Sequence, residues 1–235
     1  MTELLYHTDS YIKEFSAQVT GIDEEQHGVL LSRTAFYPGG GGQPNDVGSL
    51  FVGEKAYPVS KVARGNVHII DGELPAVGQE VRGVIDWERR YKLMRTHTAM
   101  HILCGVVWRD YSASVTGGNM EPLEGRMDFE FATLQKELVT EIEAKINAEV
   151  AAARDLRVKI LPRDEAFQIP DLIRTKINLL PEGIPEVRTV EIIGLDLQAD
   201  GGTHVANTRE VGTLKITDYK SKGGINKRVY LAIGD

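Results

Sequence analysis

The spacing of apolar positions along this chain changes near residue 88. Before it, apolar residues come in short runs, at 17–19, 29–31, 50–52, 67–70 and 81–85, separated by Gly, Pro and Asp. Short apolar runs between turn residues predict a strand-built unit, a small barrel or sandwich. From residue 86 to 108 the apolar positions take a helical spacing, with Asp86 placed to cap the first turn. Leu138, Ile142, Ile146 and Val150 recur every four residues and predict a second helix over about 134–153. Between the two helices, 113–116 and 126–131 read as a hairpin. Strand-like stretches follow at 156–160, 187–193, 212–218 and 227–233. The fold class read from this pattern is α+β. Residues 1–88 form an N-terminal β-barrel with a glycine-rich loop, and residues 89–235 form an α+β domain.

Composition narrows the choice of function. A chain of 235 residues, 42% of them hydrophobic, can bury a sizeable core. It holds no apolar run near the roughly 18 residues a membrane span needs, so no membrane partner is expected. Its first residues are polar and acidic, which reads as the absence of a signal peptide and a cytoplasmic location. The single cysteine, Cys104, fits a reducing compartment and excludes a zinc site built on several thiolates. A net charge of −7 argues against broad binding to nucleic acid, but leaves room for a local basic patch that docks one structured RNA.

Six histidines are present. His97 and His101 are four residues apart on the first predicted helix, so they share a face and can chelate one metal ion. A metalloprotease helix would carry glutamate directly after the first histidine; Thr98 stands there instead. Farther along, Asp200-Gly-Gly-Thr-His204 has two glycines that let the backbone turn tightly and bring Asp200 and His204 together. His7, His27 and His68 stand alone and read as ordinary surface or strand residues. Cys104 reads as a small core residue of an apolar helix. The run Gly39 to Gly42 is not a Walker loop, because no Gly-Lys-Ser/Thr follows. It is either a mobile hairpin or a loop that admits close approach of a chain or phosphate.

Thr96-His-Thr-Ala-Met-His-Ile-Leu103 together with Gly201-Gly-Thr-His-Val205 resembles the editing domain of alanyl-tRNA synthetases and their free-standing AlaX-type relatives. Phe36-Tyr-Pro-Gly-Gly-Gly-Gly-Gln43, Asp46-Val-Gly48, Asp86-Trp-Glu-Arg-Arg-Tyr91, Thr208, Val211-Gly212 and Ser221-Lys-Gly223 extend the resemblance over nearly the whole chain. The length is similar to the medium-sized members. One departure stands out: the family motif has cysteine where this sequence has Asp200.

The resemblance implies a small N-terminal β-barrel followed by an α+β editing domain. It implies a zinc-dependent deacylase acting in trans on tRNA(Ala) that carries serine or glycine, with one Zn2+ per chain and no obligate protein partner. His97, His101 and His204 are then metal ligands. Asp200 is either a fourth ligand or a catalytic base acting on water at an open position. A metal other than zinc also fits a site without a soft ligand. Rejecting alanine, the smaller and correct residue, requires a hydrogen bond to the serine hydroxyl rather than a size sieve. Thr116 is the candidate for it, against an ordinary strand threonine. Gly40, Gly41, Gly42 and Gln43 are candidate substrate contacts. Lys220, Lys222, Lys227 and Arg228 are candidate tRNA contacts, and the basic stretch from Glu88 to Arg95 is either a second contact or a solvated face. Two other readings stay open, a noncatalytic tRNA-binding module and a metal-dependent hydrolase of another small ester or amide. Metal content of the purified protein separates the first of these from the enzyme.

Overall fold

A computed structural model describes residues 2–175, 180 and 183–234. The chain divides into two compact units, Met1–Tyr91 and Lys92–Asp235. The first opens with a short parallel pairing of β1 (Glu3–Leu4) and β4 (Arg33–Thr34). Its body is a closed six-stranded barrel. Around it run β2 (Glu14–Asp23), β3 (Gly28–Leu31), β7 (Val67–Ile70), β6 (Lys55–Ala63), β5 (Gly48–Val52) and β8 (Glu80–Ile85), which pairs back onto β2. Closure leaves no free sheet edge. Phe15, Val19, Val29, Leu31, Leu50, Val59 and Val62 point inward and are buried, while the alternate positions of β2 face outward, as a half-buried strand requires. β6 was not foreseen from the apolar runs: its Tyr57, Val59 and Val62 are buried singly between exposed polar residues and Pro58.

The four consecutive glycines form an ordered turn at the barrel. Gly40 and Gln43 exchange both backbone hydrogen bonds, at 3.0 and 2.9 Å. The two residues between them, Gly41 and Gly42, have φ of 58° and 89°, which side chains rarely tolerate. At the base of this loop lies a buried ion pair. Asp46 accepts from Arg90 Nε at 2.9 Å and from the Tyr37 amide at 2.6 Å, and Arg90 Nη2 also donates to the Ala35 carbonyl at 2.6 Å. Arg90 is therefore a buried strut and not part of a solvated basic face.

Helix α1 (Trp87–Tyr111) begins in the first unit and continues into the second. Asp86 caps it as read from the sequence, its carboxylate accepting from the Arg89 amide at 3.1 Å. From Thr96 to Val107 every residue is buried, so α1 is a core helix. One side packs on an antiparallel sheet in the order β14 (Thr213–Ser221), β15 (Asn226–Gly234), β10 (Glu124–Glu130), β9 (Val115–Glu121). There Met100 fills the space left by Gly118 and Gly125, where an added Cβ would stand 3.1 Å from it. That close approach explains why Gly118 and Gly125 lie within strands. The hairpin turn falls later, at Pro122 and Leu123, and the strands are longer than the sequence reading gave. The other side of α1 faces the sheet β11 (Leu156–Pro162), β12 (Glu186–Ile192), β13 (Asp196–Ala199). Helix α2 (Lys136–Ala151) buries Val139, Ile142, Ile146 and Val150, while α3 (Arg163–Ala166) is a single turn. Among the described residues, no helix is long and apolar enough to cross a membrane.

The barrel contains a buried titratable group. His68 is fully enclosed, with Nε2 2.8 Å from Thr34 Oγ1 and Nδ1 3.3 Å from the Val29 carbonyl. Burial lowers its pKa from the ordinary 6.5 to about 4. The unfolded chain therefore takes up this proton first as pH falls. The stability contributed by neutral His68 is intact above 6.5 and is lost as pH drops towards 4. The expected loss is about 3 kcal/mol. Urea unfolding at pH 7 and pH 4 should show a drop smaller by about this amount in His68→Gln; equal drops would remove His68 as the source.

Candidate metal centre

Two short segments build the centre. On α1, His97 and His101 lie one helical turn apart, with ring centroids separated by 5.1 Å. The segment from Asp200 to Val205 lies against them and supplies Asp200 and His204. The His204 ring stacks on that of His97 at 4.2 Å and meets that of His101 edge-on at 4.7 Å. One ligand atom from each of His97, His101, Asp200 and His204 lies within 4.8 Å of those of the others. The three imidazoles are buried, and the carboxylate is nearly so. Cys104 is outside the group. It is a buried core thiol, pushed well up in pKa by burial, that accepts from Gln198 Nε2 at 3.4 Å.

The Asp200 carboxylate is held in place from several sides. Its Oδ2 accepts from the Gly202 amide at 2.8 Å and lies 3.0 Å from His204 Nε2, while Oδ1 lies 3.5 Å from His97 Nε2. Arg188, buried on β12, donates Nη1 to the Asp200 carbonyl at 2.9 Å and lies 3.6 Å from its Oδ2. Thr98, the residue in place of a protease glutamate, turns its hydroxyl to His204 Nδ1 at 3.1 Å and accepts from the Val205 amide at 3.3 Å. It thus braces the second segment against α1. Sequence reasoning gave no role to Arg188 or to Asp196, which lies 3.1 Å from His101 Nδ1. Arg188 falls in a run of buried strand residues, and Asp196 opens a four-residue strand that was not foreseen, so neither carried a local signal.

The electrostatics suit a cation. Burial depresses His97 well below its ordinary pKa, and depresses His204 to about 4, so both rings are neutral at pH 7 and keep a lone pair. His101 is likewise opposed by burial, but the hydrogen bond and charge of Asp196, with the charge of Asp200, leave it raised. Burial works against the charge on Asp200 as well; the surrounding His97, His204 and His101 outweigh it and hold the carboxyl well below its usual range. Three imidazoles and one carboxylate are a fitting donor set for a divalent transition metal, with no thiolate.

The remaining candidate residues lie elsewhere. Thr116 is exposed at an irregularity in the β9–β10 register, and its hydroxyl donates to Asn226 Oδ1 at 2.8 Å. Gly40 and Gly41 are exposed at the tip of their turn, Gly42 is half-buried, and Gln43 is buried beneath them. Lys220 and Lys222 are exposed. Lys227 is buried, its ammonium directed to Ser221 Oγ and the Gly224 carbonyl. Arg228 makes a bidentate pair with Asp128 at 2.7 and 2.8 Å. Arg95, in the first basic stretch, donates to the carbonyls of Val211 and Gly234 at 3.0 and 2.8 Å. Lys227, Arg228, Arg90 and Arg95 are thus occupied by the fold itself, Lys227 within its own hairpin and the three arginines by partners far away in sequence.

Comparisons with known proteins agree with this layout. A family model described as threonyl and alanyl tRNA synthetase second additional domain matches residues 187–230, and one described as tRNA synthetases class II (A) matches residues 6–89. The chain is 43% identical to the alanyl-tRNA editing protein AlaX-M of Saccharolobus solfataricus, over 99% of both chains. It is 38% identical to the AlaX-M of Methanosarcina mazei, over 100% of this chain and 98% of that one. It is also 41% identical to an alanine–tRNA ligase of Ignicoccus hospitalis, over 92% of this chain but 24% of the larger protein.

A ligand that binds only the native cluster must stabilise the fold. Zn2+ at 100 times its dissociation constant is expected to add about 2.7 kcal/mol to the unfolding free energy, read as a rise in thermal midpoint that EDTA reverses. His97→Ala and His204→Ala should each lose that rise; a full rise in either would place the metal elsewhere.

Proposed function

Because this chain belongs to the AlaX-M family of alanyl-tRNA editing proteins, we propose that it hydrolyses the ester of tRNA(Ala) mischarged with serine or glycine, at one Zn2+ held by His97, His101, His204 and Asp200. The observation that carries this reading is the buried cluster of three imidazoles and one carboxylate, with donor atoms within 4.8 Å of one another. A divalent ion bound there supplies Lewis acidity towards an ester carbonyl.

The chain's own residues provide the rest. His97 and His204 are kept neutral by burial and offer lone pairs. Both oxygens of Asp200 are turned to imidazole nitrogens, and its Oδ2 is fixed by the Gly202 amide. This supports Asp200 as a ligand in place of the family's cysteine more than as a base reaching towards substrate. Arg188 anchors the Asp200 backbone and limits its movement when substrate enters. The burial of these side chains restricts bulk water near the scissile ester.

Recognition is divided among other surfaces. Alanine is smaller than serine, so rejection of the correct amino acid needs a group that bonds the serine hydroxyl and is left unpaired by alanine. Thr116 is the candidate, and its hydroxyl would exchange Asn226 Oδ1 for the substrate. The exposed glycine tip at Gly40 and Gly41, with Gly42, is a candidate contact for the tRNA end, and buried Gln43 supports the turn from beneath. The exposed Lys220 and Lys222 are candidate phosphate contacts. A tRNA substrate also fits a cytoplasmic location.

Deacylation of radiolabelled seryl-tRNA(Ala) beside alanyl-tRNA(Ala) tests the proposal. Serine should be released and alanine spared by roughly 10⁴-fold. His97→Ala should slow serine release by roughly 10²–10³-fold, the scale of losing one electrostatic stabiliser of the transition state. Zinc-loaded protein that binds tRNA(Ala) but releases neither amino acid would contradict the enzyme and favour a noncatalytic tRNA-binding module.

A further inference from the structure

Helix α1 carries a glycine at position 105, inside its buried stretch, where glycine costs about 1 kcal/mol relative to alanine. A Cβ there would stand 2.9 Å from Leu195 Cγ and 3.0 Å from Asp196 Cβ. The missing side chain lets the start of β13 lie directly against the helix, one turn after His101. Asp196 occupies that approach. Its side chain is fully enclosed, and Oδ2 stands 3.1 Å from His101 Nδ1. The same oxygen accepts from Gln198 Nε2 at 2.6 Å. The other oxygen faces Arg174 Nε at 3.5 Å, and the Arg174 guanidinium lies over the Trp108 ring at 4.8 Å.

A carboxylate oxygen at hydrogen-bond distance from a ring nitrogen is favourable only when that nitrogen carries the proton. Nδ1–H of His101 leaves the lone pair on Nε2, and a histidine that ligates metal through one nitrogen usually donates the other N–H to such a partner. We propose that Asp196 is a positioning residue that fixes the tautomer and ring orientation of His101, and that Gly105 admits it to that place. Gln198 holds one carboxylate oxygen by a hydrogen bond, and the charge of Arg174 faces the other at 3.5 Å. The inference rests on the reading of His97, His101, Asp200 and His204 as metal ligands.

Two measurements on the full chain test it. Long-range ¹H–¹⁵N correlation of the histidine rings in metal-free wild type should place a proton on His101 Nδ1; an Nδ1 without a proton would overturn the proposal without any variant. Zn2+ affinity, measured by competition with a chelator, should fall by roughly 10–100-fold in Asp196→Ala. Asp196→Asn, whose carboxamide oxygen still accepts from Nδ1–H, should recover part of the loss. Gly105→Ala, which displaces Asp196 without altering it, should weaken binding as well. Unchanged affinity in Asp196→Ala beside a wild type that binds Zn2+ would overturn the role of Asp196 and leave the metal centre standing. A wild type that takes up no Zn2+ would overturn both.

Discussion

At the heart of the second unit a carboxylate is packed against three imidazoles in a place nearly closed to water. Charge buried in this way is costly unless each polar atom finds a partner. The surroundings are organised to provide one. The Gly202 amide and Arg188 reach Asp200, the Thr98 hydroxyl reaches His204, and Asp196 reaches His101. Arg188 and Asp196 come from neighbouring strands of one sheet and Thr98 from α1, so that sheet, the central helix and the 200–205 segment have to be assembled together before the cluster is satisfied. A bound cation would complete the set, because two of the imidazoles are held neutral and the carboxylate anionic before it arrives.

The first unit answers a different constraint with a similar device. An ordered turn of glycines in left-handed conformations loses much chain entropy on folding. Its base is fixed by the enclosed Asp46–Arg90 pair, which also bonds the Tyr37 amide and the Ala35 carbonyl. Arg90 sits in the first turn of α1, so the element that begins beside the glycine loop is the one that carries His97 and His101.

Much of this was legible in the sequence where the signal is local. The i, i+4 histidines fall on one face of a real helix, and Asp200 and His204, four residues apart, come together beside them. The five apolar runs of the first unit all lie in barrel strands, and the later strand-like stretches overlap strands but overrun them at 113–114, 131, 193 and 212. What escaped depends on distant partners. Arg90 read as a surface cation because Asp46 is 44 residues away. Arg228 and its partner Asp128 are 100 residues apart. Strand β13 has too few apolar residues to register, yet its first residue, Asp196, reaches the centre. The hairpin was read too short because Gly117 and Gly118 look like a turn, whereas Gly118 lies within a strand and leaves its space to the Met100 side chain.

The central claim is a metal centre of nitrogen and oxygen donors, with a carboxylate and no thiolate among them. X-ray absorption at the zinc edge of the Zn2+-loaded protein tests it most directly. The account expects one ion per chain, surrounded only by nitrogen and oxygen at about 2.0–2.2 Å, with the multiple-scattering signature of imidazole. A sulfur scatterer at about 2.3 Å would bring Cys104 into the site and contradict the donor set derived from His97, His101, Asp200 and His204.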